Sequence, residues 1–143
     1  MRTVERLLEA KGYDIWSITP DASVYEAVKL MADKAIGALL VLESGDLVGI
    51  ISERDCARRV ILKEREPKDT LVREIMTPDV ISVRPDQTVE ECMALVTAKR
   101  IRHLPVLAGG QLIGLVSIGD LVKDIISEQE FMILQLENYI KGG

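Results

Sequence analysis

Two short stretches hold the residues best suited to chemistry: Gly49-Ile50-Ile51-Ser52-Glu53-Arg54-Asp55 and Gly114-Leu115-Val116-Ser117-Ile118-Gly119-Asp120. In each, an apolar run leads to a serine, and an aspartate follows three residues on. A strand that turns into a helix at that serine puts the hydroxyl at the helix N-terminus and the carboxylate one turn inside. Free backbone N–H groups and the positive end of the helix dipole gather there, which suits a phosphate. The hydroxyl can donate to a phosphate oxygen, and the carboxylate can accept from both hydroxyls of a ribose. The same spacing fits a capping box, in which the two side chains serve only the helix's own N–H groups. Ser23-x-x-Glu26 and Thr88-x-x-Glu91 are plain boxes of that kind. Two features favour a ligand. Aspartate, shorter than glutamate, reaches back to a cap less readily, and both copies stand at a strand-to-helix junction.

A second group is basic. Lys99-Arg100-Ile101-Arg102-His103-Leu104-Pro105 stands where the earlier copy has Lys34-Ala35-Ile36-Gly37-Ala38-Leu39-Leu40. Arg102 and His103 open a strand and could reach a bound anion; the bland alternative is a solvated surface cluster. No serine or cysteine nucleophile sits recognisably beside His103.

The elements that position these groups come in two copies. Residues 14–61 lie over residues 79–126 without a gap, at an offset of 65. Pro20, Asp21, Val24, Glu26, Val41, Gly45, Gly49, Ser52 and Asp55 recur as Pro85, Asp86, Val89, Glu91, Val106, Gly110, Gly114, Ser117 and Asp120. Tandem copies of this length are two small units that share a core, with a cleft at their seam as the natural ligand site. In the first copy the pattern predicts a strand at Ile15–Ile18 and a helix from Ser23 with Val24, Ala27, Val28, Met31 and Ala35 on one face. It then predicts strands at Ala38–Leu42 and Leu47–Ile51 around a Ser44-Gly45-Asp46 turn. A helix from Ser52 follows, with Cys56, Ala57, Val60 and Ile61 on one face. The second copy predicts Val80–Val83, Thr88–Arg100, Leu104–Leu107, Leu112–Val116 and Ser117–Ile126. Outside the copies lie a helix at 3–11 ended by Gly12, a charged connector at 63–70, a helical turn near Leu71–Met76 and a helical tail at Ser127–Lys141. Phe131, Ile133, Leu134, Leu136, Tyr139 and Ile140 make that tail more apolar than a free terminus needs. Either it packs on its own module or it meets a second copy or a partner.

Composition narrows the function. The 143 residues carry a net charge of −5 and no basic block, a poor match to a nucleic-acid backbone. Apolar runs are too short for a membrane span, and no secretory signal is expected. Glu5 and Glu9 argue against a transit peptide, so the cytoplasm is the expected compartment. Cys56 and Cys92 belong to no C-x-x-C pair and there is one histidine, so buried free thiols are expected rather than zinc.

Together, the tandem copies, the two Gly-h-h-Ser-x-x-Asp stretches (h, hydrophobic), Arg-Ile-Arg-His-Leu-Pro-Val and Val-Arg-Glu-Ile-Met-Thr resemble a CBS domain pair, the Bateman module, over about residues 12–127. The likeness is strongest to small stand-alone CBS-pair proteins. It implies an α/β fold of the α+β type: two tandem β-α-β-β-α repeats related by a pseudo-twofold and packed as one module. The expected parts are an N-terminal helix (1–12), repeat 1 (13–62), a connector with a short helical turn (63–76), repeat 2 (77–126) and a C-terminal helix (127–143). The resemblance also implies a sensor of AMP, ADP, ATP or NAD that signals to a partner protein, with no catalytic cofactor and no metal. By that likeness Asp55 and Asp120 hold ribose hydroxyls while Ser52 and Ser117 face phosphate. Thr77, Val80 and Ile81 line the Asp55 site; Tyr13, Ile15 and Trp16 line the Asp120 site. Arg102 and His103 match the basic pair that reaches phosphates, and Arg54 is a further candidate whose counterpart is Gly119. Gly37 and Ala38 supply no charge, so the two sites are expected to differ, with Asp55 favoured. A homodimer is expected through Leu121, Val122, Ile125 and Ile126. The competing readings are a dimeric scaffold with unoccupied clefts and, least favoured, an enzyme, which lacks a nucleophile–base pair.

Overall fold

The computed structural model describes residues 2–142. The chain divides into two compact units. One is continuous, Ile15–Ile81; the other joins Met1–Asp14 to Ser82–Gly143.

In the continuous unit, β1 (Ser17–Ile18) runs parallel to β2 (Ala38–Glu43), and β2 pairs antiparallel with β3 (Asp46–Ser52). Ser44 and Gly45 turn the hairpin with φ of 52° and 85°, the double left-handed geometry of a two-residue turn. Helix α2 (Val24–Lys34) starts at Ser23, whose hydroxyl accepts from the Glu26 N–H. Its Ala27 and Met31 pack on Leu39, Val41 and Ile51 of the sheet. After Ser52 comes α3 (Glu53–Cys56), which widens into a π-helical stretch at Ala57–Ile61. The widening corrects the predicted face: Cys56 and Val60 are buried, whereas Ala57 and Ile61 are exposed. A 3-10 turn (Pro67–Asp69) leads to α4 (Val72–Ile75). This short helix docks at the start of α2. Val72 and Arg73 donate to the Ala22 and Pro20 carbonyls at 2.8 and 2.9 Å, and Val24 donates to Thr70 at 2.8 Å. It stops before Pro78, as the residue preceding a proline disfavours helical backbone.

The second unit repeats the plan with a different partner. Here α1 (Val4–Lys11) takes the place of α4. Val4 and Glu5 donate to Gln87 and Pro85 at 2.8 and 2.9 Å, and Val89 donates to Arg2 at 3.0 Å. So the helix that precedes repeat 1 in sequence packs with repeat 2. With no proline to end it, α1 runs on to Lys11 before Gly12 stops it. Leu8 lies so close to the sheet that a Cβ on Gly114 would be 2.9 Å from its methyl carbons. Helix α5 (Val89–Lys99) packs beside a two-stranded antiparallel sheet of β4 (His103–Ala108) and β5 (Gln111–Ser117).

The strand expected at Val80–Val83 shrinks to one parallel bridge, Val83 with Val106. The cause is one atom. In repeat 1 the Leu40 N–H donates to the Trp16 carbonyl at 3.2 Å and holds β1. The matching residue is Pro105, which has no N–H.

Helix α6 (Ile118–Gly142) is 25 residues long, without the break expected near Ser127. Leu121 is fully buried and Asp124 is 7% exposed, its carboxylate 2.6 Å from Arg2. Leu121 therefore cannot belong to an outward dimer face, a correction to the expectation; Val122 and Ile126 are exposed. The tail does not pack back on its own unit either: Phe131 through Leu134, Leu136, Tyr139 and Ile140 are all more than half exposed.

Both cysteines are buried and free. Burial pushes each thiol up to about 11, helped by Asp55 and Glu53 for Cys56 and by Glu91 for Cys92.

Candidate functional site: paired serine–aspartate turns

Strand β3 delivers Ser52 to the start of α3. The Asp55 N–H donates to Ser52 Oγ at 3.2 Å, while Asp55 Oδ2 accepts from the Ser52 N–H and hydroxyl, each at 3.0 Å. Repeat 2 builds the same turn. The Asp120 N–H donates to Ser117 Oγ at 3.1 Å, and Asp120 Oδ2 accepts from the Ser117 N–H at 2.8 Å. The expectation that aspartate would close such a cap poorly is wrong: both boxes are closed. Each box uses only Oδ2. Among the described residues Oδ1 of either aspartate has no protein partner. Both aspartates are half-buried. The cap thus fixes the carboxylate rotamer and leaves one oxygen to accept from something else.

The surroundings differ. Beside Asp55, Glu53 donates its N–H to the Gly37 carbonyl at 3.0 Å, and Ala38 pairs with Ser52. Gly37 is exposed and brings no charge; Arg54 is exposed. Thr77 pairs with Ile50, two residues before Ser52, through bonds of 2.8 and 3.0 Å. Gly49 permits this approach, since a Cβ there would meet Met76 Sδ at 2.6 Å and the Thr77 carbonyl at 3.1 Å. The structure thus brings Thr77 alongside the strand that carries Ser52. Val80 and Ile81 follow in the same unit, half-buried.

Beside Asp120 the neighbours are basic. Lys11, on the extra length of α1, sits 2.6 Å from Asp120 Oδ2 and also donates to the Leu115 carbonyl. His103 pairs in register with Ser117, and the Arg102 carbonyl accepts from the Ile118 N–H at 2.9 Å. Burial lowers the His103 pKa, and the positive charges of Lys11 and Arg102 add to this, against the pull of Asp120. Burial alone would raise Asp120, but hydrogen bonds from Lys11 and Ser117 outweigh it and hold the carboxyl below its ordinary value. A cavity of about 320 Å³ opens here, lined by Arg2, Lys11, Asp120, Lys123 and Asp124 among others. Tyr13 is exposed in this unit. Ile15 and Trp16 fall in the continuous unit, where Lys34 Nζ lies 4.2 Å over the Trp16 ring.

Lys11 is the residue that the sequence reading missed. No signal in the repeat marks it: Lys11 lies before the aligned copies, and it is Leu8, against Gly114, that takes the place of Met76 against Gly49.

A family model for the CBS domain matches residues 10–62 and again residues 72–127. The chain belongs to the CBS-domain family. Its two matched segments are the two repeats, so the chain carries a CBS pair. The mitochondrial CBS domain-containing protein CBSX3 of Arabidopsis thaliana is 40% identical over 99% of this chain and 73% of its own length. The structure of a CBS-domain protein from Burkholderia ambifaria superposes with a TM-score of 0.87, at 55% identity, covering 90% of this chain and 96% of that one. CBSX2, solved in complex with AMP, shares the fold at 22% identity and a TM-score of 0.73, covering 89% of this chain and 98% of that one. CBS domains are generally regulatory rather than catalytic modules. Among the described residues no cluster of His, Cys, Asp or Glu could hold a metal ion, and no helix is long and apolar enough to cross a membrane. The compartment of the Arabidopsis relative is the mitochondrion, not the expected cytoplasm.

Proposed function

We propose that this CBS pair is a regulatory sensor of an adenosine nucleotide, of the AMP, ADP, ATP or NAD class, and that its principal site is built on Asp55. The reading is carried by one observation: Asp55 Oδ1 is held in place by a closed cap, and among the described residues no cation pairs with the carboxylate. A ribose hydroxyl pair supplies the donors it lacks. Ser52 and the exposed Arg54 face the phosphates, and Thr77, Val80 and Ile81 line the base. Asp120, paired with Lys11, makes the weaker site, with Arg102, His103 and Ser117 on its phosphate side and Tyr13 in the same unit. The AMP complex of CBSX2, which shares this fold, supports the ligand class. Binding shifts the population of module states that a partner protein reads; a coupling of about 1–3 kcal/mol is enough for a switch. The module acts as a homodimer.

Isothermal titration of AMP, ATP and NAD into the wild type, Asp55→Ala and Asp120→Ala tests this. Hydrogen bonds to a charged group contribute about 1.5–3 kcal/mol each, so Asp55→Ala is expected to weaken binding by roughly tenfold or more. Asp120→Ala is expected to weaken it much less. Equal losses overturn the asymmetry. No rise in melting temperature with any of the three at millimolar concentration overturns the sensor. That result favours the scaffold reading, which the exposed apolar length of α6 supports.

A further inference from the structure

The cavity of about 320 Å³ beside Asp120 takes its lining from the N-terminal segment and α6, and no strand residue contributes to it. On α6, Asp120, Lys123, Asp124 and Ser127 follow at steps of three, one and three, so they share one face of the helix. Arg2, Leu7, Ala10 and Lys11 complete the lining. Tyr13, Arg102, His103 and Ser117, which the nucleotide reading groups with Asp120, do not line it.

Three polar groups here have no use within the chain. Asp124 is the most buried of the charged residues: its side chain is 5% exposed, and Oδ1 lies 2.6 Å from Arg2 Nε. The pair attracts by charge but makes no hydrogen bond. Among the described residues Arg2 Nε–H and Asp124 Oδ2 are both buried without a hydrogen-bond partner, whereas buried polar groups normally have one. Lys123 is exposed, and among the described residues it pairs with no carboxylate. Lys11 and Asp120, by contrast, satisfy each other at 2.6 Å.

These unused groups specify a ligand. The two on Arg2 and Asp124 are one donor and one acceptor, on side chains in contact. A hydroxyl serves both, since it accepts from Nε–H and donates to Oδ2; an ammonium only donates, and a carboxylate or phosphate only accepts. Lys123 stands one turn before the Ser127 hydroxyl. Lysine binds phosphate as a point charge, and a phosphate has oxygens enough for both side chains. Three cations against two carboxylates give the lining a net positive charge, which favours an anion. Leu7 and Ala10 offer apolar surface to a short carbon chain. The volume lies at the lower end for small-molecule sites. We propose that this cavity binds a small polyol phosphate, with a hydroxyl between Arg2 and Asp124 and the phosphate at Lys123 and Ser127. The ligand ties the N-terminal segment to α6. This inference stands apart from the nucleotide reading and does not depend on it.

Isothermal titration of sn-glycerol 3-phosphate into the full chain is expected to show binding. Propyl phosphate, which lacks the hydroxyls, and glycerate, which lacks the phosphate, are each expected to bind about tenfold more weakly. Lys123→Met replaces an exposed helical residue with another good helix former. It is expected to weaken glycerol 3-phosphate about tenfold and to leave the circular dichroism spectrum and the AMP titration unchanged. No binding of glycerol 3-phosphate or of glucose 6-phosphate at millimolar concentration overturns the proposal. So does propyl phosphate or glycerate binding as well as glycerol 3-phosphate, or an affinity that Lys123→Met does not change. Full displacement of glycerol 3-phosphate by AMP would put it in a nucleotide site and overturn the proposal too. Glycerol 3-phosphate that binds when no nucleotide does supports this cavity and overturns the sensor alone.

Discussion

Asp55 and Asp120 occupy equivalent places in their repeats, close the same capping box and are half-buried to a similar degree, yet only Asp120 meets a lysine. The difference arises in the helices that precede the repeats. Both α1 and α4 dock through the same carbonyls, at Gln87 and Pro85 or at Ala22 and Pro20. Pro78 halts α4 after one turn, whereas α1 continues to Gly12 and carries Lys11 to the carboxylate. Duplicated sequence thus makes duplicated backbone, and a helix terminator decides which copy keeps an unpaired acid. The basic residues also gather on the side of Asp120, so repeat 2 resembles a site already balanced in charge. Repeat 1 resembles one that awaits donors.

The comparison breaks most directly at Lys11. Lys11→Met removes the charge beside Asp120 and keeps a long side chain in its place. With Asp120 released, calorimetry with AMP is expected to show a second site, moving the stoichiometry from one toward two per chain. Unchanged stoichiometry would remove Lys11 as the cause of the asymmetry.

Acid should sharpen it next. Asp120 has its pKa lowered in the folded protein, so the unfolded chain binds more protons between the two pKa values. Its contribution is present above the ordinary carboxylate value of about 3.9 and is lost as pH falls through the lower folded value. Asp120→Asn is therefore expected to flatten the fall in melting temperature below about pH 4. A fall as steep as that of the wild type would refute the pairing.

A smaller effect concerns the single histidine. Removing Lys11 removes a charge that lowers the His103 pKa and leaves Asp120, which raises it. The proton NMR titration of Lys11→Met should show His103 moved up, and a downward move would contradict the placement of all three groups. The smallest effect is one the repeats share. Both α2 and α5 end on a non-glycine residue with φ of 54°, Ala35 and Arg100. Ala35→Gly and Arg100→Gly should each stabilise by about 0.5 kcal/mol, since the left-handed strain of roughly 1–2 kcal/mol exceeds the entropy that glycine costs. Denaturant midpoints would register a loss instead if those side chains held the turns.

Much of this was legible in the residues, and the reasons are local. The Ser44-Gly45 turn and the serine starts of α2, α3 and α6 depend on neighbours in sequence and fall where the pattern put them; on α2 only Val24, Ala27 and Met31 of the expected face are buried, whereas Val28 is exposed and Ala35 lies past the helix end. What failed to read depended on single atoms or distant partners. Pro105 looked like another apolar strand residue, but its missing N–H dissolves the strand beside it. Ile61 looked like a core residue until the π-helical stretch turned it outward. The closed Ser-x-x-Asp boxes were misjudged because one carboxylate can cap with one oxygen and still offer the other. Lys11 pairs with a residue more than a hundred positions away, and helical period carries no trace of that.

The exchange of α1 onto the far repeat also sets an order of events during synthesis. The ribosome makes α1 first, but the carbonyls of Pro85 and Gln87 that receive it come some eighty residues later. At roughly 5–20 residues per second that is a wait of several seconds. The stretch Ile15–Ile81 is continuous and can condense as it emerges, while α1 stays undocked until the start of repeat 2 has been made.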